Sequence, residues 1–199
     1  MSSLKEADAG REIVRLLLKG YGNAGNIHTE TLLGAAAALA GESALLAAEN
    51  NLPETGWVFS EKALALIYNS PKSSDESVWA IIRTVLSTAS SKDGLPDPVE
   101  ITRRIAGAVG DSHFPPLSIP KENHPHEWSP NACPNFRQQI NQIAGQHNLN
   151  RTQRTMALGF ALAYILKQTR NVLDTKIAAT LVLEMMIGVS RMVPLKEPL

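Results

Sequence analysis

The residues best suited to chemistry lie in HFPPLSIPKENHPHEWSPNAC, from His113 to Cys133. Three histidines, Glu122, Glu127 and the single cysteine are set there among prolines. Zinc is held tetrahedrally by imidazole nitrogen, thiolate and carboxylate, so His124-x-His126 with Cys133 seven residues on offers three ligands. The spacing argues the other way. No C-x-x-C and no histidine pair at i, i+4 on a helix accompanies it. Pro125 also holds its neighbours extended, so the two imidazoles should diverge. The alternative is a proline strap lying over helices, anchored by Phe114 and Trp128. Such a segment needs few hydrogen bonds of its own, because proline brings no amide.

A second pattern, around 138–160, reads as a helix-turn-helix. In that motif the first residues of the second helix meet base edges in the major groove. Arg151, Gln153 and Arg154, just after the Asn150 cap, are the residue types that pair with guanine and adenine. No acid occurs between Trp128 and Leu173, against five basic residues. The same helix turns apolar at once, from Met156 through Leu166, and a helix apolar on all sides is buried. A plain helical hairpin with a capped second helix gives the same letters.

Two carboxylates sit inside apolar helices, Glu42 and Glu184. A carboxylate taken out of water must be paired or hydrogen-bonded, or its pKa rises. Arg170, Lys176 and Arg191 are the expected partners for Glu184. No nucleophile elbow, Walker loop or dinucleotide glycine pattern occurs. The expectation is therefore a non-enzymatic binding or interaction protein with no cofactor. His28 and His147 read as capping or exposed residues.

The elements that must position these groups are helical. Ser3 and Glu6 form a capping box ahead of Ile13, Val14, Leu17 and Leu18. From Thr29 to Asn50 runs a helix of small residues, with Gly34, Ala37, Ala38, Gly41, Ala44 and Ala48 at helical spacing. Small side chains let another backbone approach closely. Two readings follow, a homodimer seam or a central helix crowded within one subunit. Ser60 caps the next helix, and Ser74/Asp75 cap the one carrying Val78, Trp79 and Ile82. Asp97-Pro98-x-Glu100 is a strong start signal. After the proline stretch come helices over 134–147, 151–171 and 175–193, with Asn150 and Asp174 as caps. Trp57–Phe59 is the only strand-like scrap. The fold expected is all-α, a compact bundle of about seven or eight helices with a proline-rich strap, in a single domain over 1–199.

Charge and composition narrow the partners. With 19 basic and 19 acidic residues the net charge is zero, so no whole-molecule footprint for nucleic acid or anionic lipid is present. The apolar runs Met156–Leu166 and Ile177–Leu183 are short of the ~20 residues a spanning helix needs. One cysteine forms no internal disulfide, and the first residues lack an apolar signal core. A cytoplasmic protein that self-associates and does not enter membranes is the expectation.

HTETLLGAAAALAGESALLAA, WVFSEKALALIYNSPKSSDESVWAII, FPPLSIP and VLDTKIAATLVLEMMIGVSRMVPL together resemble an uncharacterised, largely proteobacterial family of helical bacterial proteins. The resemblance covers the chain from about Asn26 onward. It implies a compact helical fold of unknown biochemical role and carries no catalytic residues to transfer. The His-Pro-His pair and the cysteine are not part of that shared pattern.

Overall fold

The computed structural model describes residues 4–22, 27–68, 77–86 and 94–197. Over these the chain forms eight α-helices and no β-sheet, an all-α fold. They are α1 (Leu4–Tyr21), α2 (Thr29–Ala48), α3 (Glu61–Ile67), α4 (Val78–Leu86), α5 (Pro98–Gly107), α6 (Ala132–Gln146), α7 (Arg151–Thr169) and α8 (Thr175–Val189). Trp57 and Met192 form an isolated antiparallel bridge, which is all that becomes of the strand-like scrap. The Ser3 and Ser74/Asp75 caps fall outside the described residues.

The local start signals act as their chemistry requires. Ser60 accepts from the Ala63 amide and Asp97 from Val99, with Pro98 in the first turn of α5. Asn150 and Gln153 form a reciprocal capping box. Asp174 accepts from both Lys176 and Ile177. Each satisfies amides that the first turn of a helix leaves unpaired.

α2 is the axis of the molecule. Every residue from Glu30 to Leu45 is buried. It packs on α7 and α8 and also touches α3, α6 and α1. The close approach is visible at Gly41, where a Cβ would stand 2.3 Å from the Met186 carbonyl oxygen of α8. This settles the choice between seam and centre. The small residues admit the subunit's own helices, and no face of α2 is left for a second subunit. α2 is also long and apolar enough to cross a membrane by length and composition, but 83% of that window is covered by the rest of the chain.

The proline stretch between α5 and α6 lies as a strap, with a cis peptide at Phe114-Pro115 and short 3₁₀ turns at Lys121–Asn123 and Ser129–Asn131. Its two expected anchors meet. The Trp128 indole N–H donates to the Phe114 carbonyl at 3.1 Å, and Phe114 is buried edge-on to Trp57.

Candidate functional site

The strap is pinned to the helices by directional bonds. Glu184, on α8 and fully buried, accepts the backbone N–H and the hydroxyl of Ser118 and the Arg104 guanidinium of α5. Arg104 also reaches the Pro116 carbonyl. The expected partners Arg170, Lys176 and Arg191 are not used. α5 packs on α8 and delivers Arg104 instead, a long-range choice that spacing along α8 does not encode. Burial pushes the Glu184 carboxyl up, while Ser118 and Arg104 pull it back. At its other end the strap meets α2. The Asn123 amide donates to Glu30 and the His126 backbone N–H donates to Thr31 Oγ1.

Between these pins the strap walls a cleft of about 1080 Å³. His113, Lys121, His124, His126, Trp128 and Met185 are among its lining. A second cleft of about 780 Å³, with Trp57, Phe114, Trp128 and Met192, adjoins it at Asp111, Ser112 and Trp128. The imidazoles have separate duties. His124 Nε2 meets the Ile119 carbonyl at 3.1 Å, which fixes the proton on that nitrogen. His126 stacks on His28 of the α2 start. His113 pairs only with the neighbouring Ser112 hydroxyl on an exposed turn, and no carboxylate orients its ring among the described residues.

Cys133 belongs elsewhere. It is 1% exposed on α6, against the Glu42 carboxylate, and burial and Glu42 both raise its pKa well above the ordinary thiol range. The trio His124, His126 and Cys133 is thus not assembled. No group of three or more potential metal ligands converges among the described residues. His126 is drawn to α2 by its stack, whereas Cys133 points into the core.

Glu42 is held by a bidentate fork from Arg137, at 2.8 and 2.6 Å, and the same guanidinium caps the Leu195 carbonyl. Paired, planar contacts of this kind are the strong form of an ion pair.

The three residues of the helix-turn-helix reading are spent inside the subunit. Arg151 donates to the Leu46 carbonyl and Asn50, Gln153 closes the capping box, and Arg154 donates to Ser43 and Asn141. α6 docks chiefly on α2 and α1, and Arg154 of α7 reaches it through Asn141. Asn148 turns the chain in the left-handed region at φ 52°. His147 is the C-cap residue of α6 through its backbone N–H and pairs through its ring with Glu12 of α1, and His28 caps the start of α2 with its side chain.

Sequence reasoning missed Arg104, Ser118 and Arg137 as carboxylate partners, and it missed the His28–His126 stack. Only the two buried acids signalled that such partners must exist. Comparison with family models, curated proteins and solved structures gives no match.

Proposed function

We propose that the protein is a non-enzymatic binding protein that receives a small molecule in the cleft walled by the proline strap. The observation that carries this is the cleft itself, about 1080 Å³ bounded by one continuous segment that Glu184, Glu30 and Thr31 hold in place. Ligand sites combine a concave apolar body with a few placed polar groups, at volumes of roughly 300–1,000 Å³. Here Met185 and Trp128 supply apolar wall, and His113, Lys121 and His124 supply polar groups.

The test is a ligand-observed NMR screen of aromatic and aliphatic carboxylates, amines and neutral amides. It compares the wild type with a His113→Ala/Lys121→Ala variant, both positions being exposed. Binding lost or weakened about tenfold in the variant supports the reading. Compounds that bind both proteins alike, or no binder at all, would sink it.

A further inference from the structure

Arg191 is a buried cation that no hydrogen-bonding or ionic partner answers among the described residues. The residue is 6% exposed. Its Nε–H is sealed from solvent without an acceptor, and no hydrogen bond or ion pair joins its guanidinium to any group among the described residues. The other buried charges are answered: Glu30 by His28 and Asn123, Glu42 by Arg137 and Glu184 by Arg104, and Glu6 is not without a partner. Buried charges are ordinarily paired, and a buried donor without a partner calls for an explanation.

The surroundings favour a visitor over a structural role. Arg191 follows the end of α8, held by its own backbone to Gly188 and Val58, so its position does not depend on its charge. The guanidinium lies over the Phe59 ring at 4.9 Å, and that ring is 63% exposed. A flat cation on an aromatic face keeps its N–H edges free. Tyr68 is the titratable group that acts on it electrostatically. The Tyr68 oxygen accepts from Thr102 at 2.8 Å, which leaves the phenol proton to donate. Among the described residues no carboxylate contributes, and burial lowers the guanidinium's pKa.

We propose that Arg191 is the base of an oxyanion site, in which a carboxylate or phosphate group docks on the guanidinium edge beside Phe59. The planar fork matches two oxygens of either group. This site goes beyond the strap cleft and does not depend on it, because Arg191 lines neither cleft.

The experiment is thermal unfolding in sodium phosphate, sodium acetate and sodium chloride at matched ionic strength, for wild type, Arg191→Lys and Arg191→Met. A ligand that binds the folded state raises the melting temperature with its concentration. Expected is a rise in phosphate or acetate over chloride for the wild type, about tenfold weaker apparent binding in Arg191→Lys, and no rise in Arg191→Met. Which salt acts separates a phosphate from a carboxylate ligand. An equal rise in wild type and Arg191→Met means binding elsewhere and overturns the site. No rise in the wild type overturns it as well. Should Arg191→Met not fold, the ¹⁵N-edited Nε–H resonance of Arg191 in the wild type decides. Its movement on titration with phosphate or acetate supports the site, and its constancy refutes it.

Discussion

The imidazoles of His28 and His126 lie face to face, 3.5 Å between ring centroids and 18° between planes. Around them runs a relay with one direction. The Thr31 backbone N–H can only donate, so His28 Nδ1 accepts it at 3.3 Å, and Thr31 Oγ1 accepts the His126 amide at 2.9 Å. His28 Nδ1 also lies 2.9 Å from Thr31 Oγ1, which makes that hydroxyl the donor between them. His28 therefore caps α2 and holds the strap at once. His28→Ala removes both, at a cost of about 1 kcal/mol for the cap alone. His28→Asn keeps a cap acceptor and drops the stack. Hydrogen exchange at the His126 amide should quicken in both variants, whereas global stability should fall mainly in His28→Ala. Equal exchange in the wild type and His28→Asn would show that the stack holds nothing.

Glu184 gives a pH dependence of definite sign. Its folded-state pKa is raised, with burial the main cause. The folded protein thus binds that proton more tightly than the unfolded chain, whose glutamates titrate near 4.3. The group's contribution is full below that value and is lost as pH rises through the folded value. Glu184→Gln carries no such titration. The stability of the wild type over Glu184→Gln, from urea midpoints between about pH 4 and pH 7, should shrink as pH rises and then level. A difference that grows with pH would mean that Arg104 outweighs burial. Glu184→Ala, which orphans Ser118 and removes the Arg104 pair, should cost about 3 kcal/mol near pH 4, a cost that shrinks with rising pH as the Glu184→Gln difference does.

The helices were legible because their signals are local. Ser60, Asp97, Asn150 and Asp174 each cap a helix whose first residue lies one position on, so a few letters suffice. The strap was legible for the same reason, since prolines at 115, 116, 120, 125, 130 and 134 exclude a helix before α6 is under way. What spacing could not supply was which element answers which. Glu184 lies 80 residues from Arg104, and Glu42 lies 95 from Arg137. Nothing along either helix distinguishes those arginines from Arg170 or Arg191. The composition of α2 was equally ambiguous, because crowding by one's own helices and crowding by a second subunit demand the same small residues.

Gly41 and Gly34 should separate by what each faces. A Cβ at Gly41 meets a helix backbone, the Met186 carbonyl oxygen, which cannot move without shifting α8. A Cβ at Gly34 meets the Ser129 hydroxyl at 2.3 Å and Pro125 Cγ at 3.1 Å, of which the hydroxyl can rotate. Overpacking costs typically 1–3 kcal/mol, against about 1 kcal/mol gained from alanine's helix propensity. Gly41→Ala should therefore destabilise by about 2 kcal/mol and Gly34→Ala by less, with no change in sedimentation mass in either. A drop in mass with the fold intact would return α2 to a subunit interface.

Cys133 should behave as a buried thiol and not as a ligand. Its pKa is raised by burial first and by Glu42 second, with Arg137 opposing. Only the thiolate attacks disulfide reagents or binds zinc, and forming one here sets a second negative charge beside Glu42. Ellman's reagent at about pH 8 should react with the native protein at least ~100-fold more slowly than with the urea-unfolded chain. Arg137→Ala removes the fork that ties Glu42 on α2 to the Leu195 carbonyl of the C-terminal segment. Breaking a buried pair from one side costs roughly 3–5 kcal/mol, so opening and labelling should speed up by orders of magnitude. If the native thiol reacts as fast as the unfolded one, Cys133 is exposed as a nucleophile and its place behind Glu42 is wrong. If labelling is slow in the wild type and stays equally slow in Arg137→Ala, packing by α2 alone closes the site and the fork is incidental.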